Sequence, residues 1–251
     1  MSGHSRWAGI KHKKAIIDSK KGKVFTRVAR EITIAARQGG GKPEANPRLR
    51  KAIEDARAVN MPQDNVKRAI QKGTGEIPGV VFEEMTYEGY GPGGVAVLIE
   101  ATTDNKNRTT SDLRHMLDEH GGNLAGSGSV AFIFEQKGFF SVPKASIAED
   151  KITELAIEAG AEDIKTEDDV YEITTAPSDF EAVKAKLAEA KVQTETAELS
   201  LIPKNTVALE GQQAKRCLDL MEALEEYDDV KNVHANFDIS KETMEKVTSG
   251  Q

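Results

Sequence analysis

The chain has 251 residues, 38% of them hydrophobic and 30% charged, with a formal net charge of −7. It is long enough for two or three domains, and no stretch approaches the run of roughly 18 apolar residues that a membrane-spanning helix needs. Its single cysteine, Cys217, excludes an intramolecular disulfide and reads as a small core residue in a reducing compartment.

The charge is divided unevenly. Residues 1–75 carry 18 Lys and Arg against 6 Asp and Glu, a balance of +12, while the remainder carries 16 against 35, or −19. Such segregation points to a basic module that meets a polyanion, attached to an acidic body. The chain opens with GHSRWAGIKHKK, where cations, Ser, His and the only Trp stand together with almost no apolar periodicity. No apolar run follows these charges, so they do not read as a secretory signal. They are read as an exposed arm of the mature chain, which makes the expected location cytoplasmic.

In KVFTRVAREITIAARQ, turns of about 100° per residue gather Val24, Val28, Ile32 and Ala35 on one side, with Phe25, Ala29 and Ala36 beside them. Lys23, Arg27, Arg30 and Arg37 fall on the opposite side, interrupted only by Ile34, so this helix is amphipathic with a cationic stripe. Gly39-Gly40-Gly41 ends it. Asn46-Pro47 supplies an N-cap and a Pro at the first helical position. The helix they open has Leu49, Ile53 and Ala56 on its apolar face and stops near Met61-Pro62. PQDNVKRAIQKG predicts a third helix, closed by Gly73. These three form a small bundle.

Beyond Thr74-Gly75 the pattern turns to strands. VVFEEMTYEGY and VAVLIEATT flank the turn Gly91-Pro92-Gly93-Gly94. NRTTSDLRHMLDEHGG is a helix and SVAFIFEQ another strand. FFSV, IAEDKITELAIEAG, EDIKTE, VYEITTA, SDFEAVKAKLAEA and TAELSLIP then alternate as βαββαβ, the ferredoxin-like split unit. A helix, GQQAKRCLDLMEALEEY, and the strand-like VKNVHANFDI cannot make a domain alone, but they complete the interrupted set before the split unit. The expected fold class is therefore α+β: a helical N-terminal domain followed by two ferredoxin-like α/β domains, the third inserted in the second. The expected boundaries are 1–76 for the arm and helical domain, 77–137 with 204–240 for the middle domain, and 138–203 for the insertion. Residues 241–251 read as a loose tail.

Few residues suit catalysis. HGGNLAGSGS is rich in glycine but follows a helix and precedes a strand, the reverse of a phosphate-binding loop, and lacks Gly-Lys-Ser/Thr. His115 and His120 are five apart, about 140° around a helix, and cannot share a metal as residues four apart do. The expectation is no metal, no cofactor and no enzymatic activity. What remains is a polyanion-binding face made of His4, Ser5, Arg6, Trp7, Lys11, His12, Lys13, Lys14, Lys20 and Lys21 of the arm, continued by Lys23, Arg27, Arg30 and Arg37 of the first helix. Lys and Arg neutralise phosphates, and an indole stacks on unpaired bases. The competing reading is a basic tail that docks on the chain's own acidic body, with Trp7 as its anchor.

HSRWAGIKHKKAIID with KGKVFTRVAREI, then NPRLRKAIEDARAVNMPQDNVKRAIQKG, YEGYGPGGVAVLIEATTDNKNRT, GGNLAGSGSVAFIFE and LMEALEEYDDVKNVHANFDI, resemble the YebC/PmpR family over nearly the whole chain. The resemblance implies the same three-domain plan and a non-enzymatic regulator of gene expression, nominally a DNA-binding transcriptional regulator. It also implies an alternative, a translation factor on ribosomal RNA, because the mitochondrial relative is a translational activator and bacterial members are linked to stalled ribosomes; the acidic body could then face basic ribosomal proteins. A protein–protein adaptor working through the acidic body is a further alternative. A stripe rich in charge and poor in Asn and Gln favours contact with the nucleic-acid backbone over base reading. No membrane partner is expected, and the chain should be a monomer or weak dimer.

Overall fold

The computed structural model describes residues 21–167, 169–240 and 242–244. Helix α1 (Lys21–Gly39), α2 (Pro47–Ala58) and α3 (Gln63–Thr74) form the helical domain. Ile32, Ala35, Leu49, Ala52, Ala56 and Val66 are buried between them, with Phe25 and Val28 partly buried alongside. Asn46 caps α2 by accepting from the Leu49 N–H at 3.0 Å, while its amide donates to the Ala35 and Gly40 carbonyls. One side chain thus closes α1, opens α2 and fixes the turn between them. The third helix does not stop at Gly73. It continues to Thr74, and the left-handed residue is Gly75 at φ 80°. Gly73 lies inside the helix where α3 touches α1: a Cβ there would stand 2.4 Å from the Thr33 carbonyl oxygen.

The middle domain begins with a hairpin, β1 (Glu83–Tyr90) and β2 (Ala96–Thr103), joined through a short 3-10 turn at Pro92–Gly94. Helix α4 (Lys106–Glu119) and β3 (Asn123–Ala125) follow. After an excursion the chain returns as the helix Gly211–Glu226 and the strand Val230–Ala235. That strand lies antiparallel to β2, which makes a four-stranded antiparallel sheet with the hairpin at its centre. Side chains alternate along β2. Val97, Ile99 and Ala101 face both helices, while Ala96 and Leu98 face the opposite way and meet Val130, Phe134 and Leu201. The continuous apolar run of this strand follows from its being covered on both faces.

The excursion forms the third domain. It comprises β4 (Phe134–Pro143), α5 (Glu149–Glu158), β5 (Ala161–Thr166), β6 (Val170–Thr175), α6 (Phe180–Glu189) and β7 (Thr196–Pro203), in the spatial order β5-β6-β4-β7. That is the antiparallel order of a ferredoxin-like split unit. The rings of Phe140 and Phe180 stack at 5.0 Å in its core. A short parallel pair, β8 (Val207–Ala208) and β10 (Phe237–Asp238), brackets the returning helix, here α7 (Gly211–Glu226), and strand, here β9 (Val230–Ala235).

Two expectations are corrected. SVAFIFEQ is not a strand: residues 131–133 form a 3-10 turn, and Phe134 begins β4, which runs unbroken through the segment read as a separate strand FFSV. Alternation alone cannot mark that boundary, because Ala131, Phe132 and Ile133 continue the apolar pattern of the strand through the turn that precedes it. The chain after residue 240 is not simply loose either. Residues 242–244 are helical, and Met244 is buried in the middle-domain core.

Candidate nucleic-acid interface

The cationic stripe of α1 faces the chain's own middle domain. The last carbonyls of a helix lack intrahelical partners and carry partial negative charge, and the end of α7 meets the stripe. Lys23 Nζ donates to the Glu226 carbonyl at 3.0 Å. Arg27 Nη2 donates to the Glu225 carbonyl and, at 3.2 Å, to that of Tyr227. Arg30 Nη1 reaches the Asp228 carbonyl at 2.7 Å and Asp229 Oδ1 at 2.9 Å. Ile34, the one apolar residue on this side, is 4% exposed. Burial pushes the Arg27 guanidinium below its ordinary value, against the raising influence of Asp228 and Glu225.

Asp229 is the centre of this seam. Its Oδ2 accepts from Arg108 at 2.7 Å and from the Thr109 hydroxyl at 2.7 Å. Burial alone would raise its carboxyl, but hydrogen bonds from Arg108 and Thr109 and the charge of Arg30 outweigh it and hold the group below the usual carboxylate range. A second clasp lies alongside, where Arg48 pairs with Glu31 at 2.7 Å and Glu84 at 2.6 Å. Lys231 closes it with Glu31 at 2.9 Å.

Of the residues expected to grip a polyanion, Lys23, Arg27 and Arg30 therefore hold the acidic body of the same chain. A stripe of cations reads identically in sequence whether it meets phosphate or a helix end some 200 residues away. Arg37 is exposed. His4, Ser5, Arg6, Trp7, Lys11, His12, Lys13, Lys14 and Lys20, with the side chain of Lys21, lie outside the described residues.

The structure brings forward a different cationic face. A groove of about 460 Å³ runs between α1 and α3, with Phe25 and Phe82 among its walls and Asn65, Arg68 and Lys72 along one side. The latter three are exposed, and among the described residues neither Arg68 nor Lys72 makes an ion pair or side-chain hydrogen bond. Their spacing of three, then four, puts them on one face of α3. That periodicity was the signal available in sequence, but nothing there told a groove wall from an ordinary solvated face.

The glycine-rich stretch after α4 has a structural use. The Glu88 carboxylate, 6% exposed, accepts from the backbone N–H groups of Gly128 at 2.7 Å, Val130 at 2.6 Å and Ala131 at 2.9 Å. The loop is an anion cradle filled by the chain's own side chain. Those hydrogen bonds overcome burial and keep the Glu88 carboxyl below its ordinary value. The adjoining Phe132 is 69% exposed. Among the described residues no group of three or more His, Cys, Asp or Glu could hold a metal ion, and no helix is long and apolar enough to cross a membrane. Cys217 is buried, and desolvation pushes its thiol up to about 12.

The architecture is that of a three-domain α+β protein in which a cationic helical domain is clamped to an acidic pair of two-layer α/β domains. Residues 5–76 match the family described as "TACO1/YebC protein N-terminal domain", and residues 82–237 match "TACO1/YebC second and third domain". The chain belongs to the TACO1/YebC family. It is 55% identical over 251 residues to a "Probable transcriptional regulatory protein" of Endomicrobium trichonymphae, covering 99% of this chain and 100% of that one. A protein of the same description from Dictyoglomus turgidum is 52% identical over 249 residues, covering 99% and 100%. The crystal structure of a conserved hypothetical protein, Aq1575, from Aquifex aeolicus superposes with a TM-score of 0.80 at 49% identity, covering 94% of this chain and 98% of that one.

Proposed function

We propose that this chain is a non-enzymatic, nucleic-acid-binding regulator of gene expression that works in the cytoplasm, with the arm at residues 1–20 and the exposed cations of the helical domain as its phosphate-binding face. The observation that carries this reading is the segregation of +12 into residues 1–75 against −19 in the rest, with Arg37, Arg68 and Lys72 left outward-facing once Arg27 and Arg30 are used internally. An acidic body repels nucleic acid and orients the basic end toward it. The names of the full-length relatives support transcriptional regulation as the leading form.

A second form, a translation factor on ribosomal RNA, is favoured by the engagement of Arg27 and Arg30. The helix that could lie along a duplex groove is occupied with the middle domain, and an arm with one stacking ring suits single-stranded or structured RNA. Sucrose-gradient sedimentation of a lysate at near-physiological salt, with and without residues 2–20, separates the two. DNase-resistant co-migration with ribosomes that needs the arm identifies the translation factor. Protein that stays at the top of the gradient yet footprints discrete duplex sites identifies the transcription regulator. Failure of the purified chain to bind any nucleic acid overturns both.

A further inference from the structure

From the groove between α1 and α3 we infer a binding site for one unstacked nucleotide of a single strand. This rests on the nucleic-acid-binding reading above and names the chemistry of one subsite within it. The volume of about 460 Å³ lies within the range of pockets that enclose small molecules, about 300–1,000 Å³. Its lining includes two aromatic rings: Phe25, partly buried against the helical core, and Phe82 from the chain leading into β1. The guanidinium of Arg30 lies over the Phe82 ring at 5.3 Å, which pins that wall and adds positive potential. The face contributed by α3 is polar. Arg68 and Lys72, four apart on α3, have Cβ atoms about 6 Å apart, so both heads can meet on one phosphate. Asn65, one turn earlier, offers an amide donor and acceptor to a base edge. Asp104, also in the lining, already accepts from Arg108 at 2.8 Å, which tempers its charge toward an approaching anion.

An aromatic surface for the ring, paired cations for the phosphate and an amide between them match the parts of a nucleotide. A base inside a duplex cannot enter such a groove, so the occupant is a single-stranded or extruded residue. The location is consistent: Phe25 stands in the first turns of α1, directly after the cationic residues 1–20 in sequence.

The test uses the full chain and fluorescence anisotropy with labelled 12-nucleotide oligo(U), oligo(dT) and a 12-base-pair duplex. A further oligo(U) carries one abasic position at its centre. The variants are Arg68→Ala/Lys72→Ala, both on the surface, and Asn65→Ala, with thermal melting to confirm that each is folded. The wild type should bind single strands better than duplex and lose affinity at the abasic position. Arg68→Ala/Lys72→Ala should lower single-strand affinity about tenfold, reduce the slope of log K against log salt by about 1, and erase the abasic penalty. If the wild type binds single strands but the double variant matches it in affinity and salt slope, the groove assignment is overturned and the nucleic-acid reading stands. Binding to duplex alone also overturns the groove. Binding to none of the probes overturns the groove and the reading beneath it.

Discussion

Arg30 on α1 and Asp229, the residue before β9, are 199 positions apart in sequence and 2.9 Å apart in space, and the Asp229 side chain is only 3% exposed. One carboxylate thereby gathers two arginines and a threonine hydroxyl from two separate elements: Arg30 on α1, and Arg108 and Thr109 on α4 near its junction with β2. Removing one partner of a buried, hydrogen-bonded pair costs far more than the pair contributes, because the survivor stays desolvated. Asp229→Ala should therefore destabilise the protein by about 3 kcal/mol in urea unfolding. Hydrogen exchange should speed up in α1 and at the end of α7 but not in the third domain. Unchanged exchange in α1 would mean that the seam is held by other contacts.

Glu88 makes a comparable prediction for the loop at 126–133. Glu88→Ala leaves the amides of Gly128, Val130 and Ala131 without their acceptor, and each buried unsatisfied group costs about 1–3 kcal/mol. Water reaches part of this loop, so a net loss of about 2–3 kcal/mol is expected. Amide exchange at those three residues should rise first. Glu88→Gln should recover part of the stability through its remaining carbonyl oxygen.

Gly73→Ala sets two effects against each other. Alanine in a helix interior gains about 1 kcal/mol over glycine. Its Cβ would stand 2.4 Å from the Thr33 carbonyl oxygen and 2.7 Å from Ala36 Cβ, and the first of these is backbone that cannot swing aside. Overpacking of this kind costs about 1–3 kcal/mol, so the variant should melt lower despite its better propensity. A melting temperature above wild type would show that α1 and α3 can separate freely.

Acid should unfold the protein through its depressed carboxylates. Glu100 is held at about 2 by His234, whose Nε2 lies 3.6 Å away, and by the Asn232 amide at 2.7 Å. Asp229, Glu31, Glu84 and Glu88 are shifted in the same direction. A carboxyl whose folded pKa lies below its unfolded value stabilises fully above the unfolded value, and that stability disappears as pH falls toward the folded one. Melting temperature should therefore decline from about pH 4.5 downward toward pH 2. Glu100→Gln should shallow the decline, and carboxyl-carbon NMR of Glu100 should titrate near 2. A Glu100 resonance titrating at the ordinary carboxylate value would contradict the packing described for β2 and β9.

Much of the architecture is legible in the residues. The 100° periodicity of α1, the Asn46-Pro47 opening of α2 and the βαββαβ alternation each follow from local physics, and they agree with one another. Gly73 and the segment before Phe134 are not legible, for a shared reason. A glycine near a helix end looks like a cap whether or not a second helix presses on it, and an apolar turn leading into a strand looks like part of it. Both depend on neighbours that the local sequence does not name.

The candidate site divides along the same line. Sequence alone determined that the charge is segregated, that α1 bears a cationic stripe, and that the chain carries a helical domain and a split α/β unit, because composition and periodicity are properties of nearby residues. Only the tertiary structure decided that Arg27 and Arg30 meet the end of α7 and Asp229 while Arg68 and Lys72, unpaired among the described residues, line an aromatic groove. Coulomb attraction does not distinguish a phosphate from a carboxylate or a helix end, so which anion a cation meets is settled by how the domains pack.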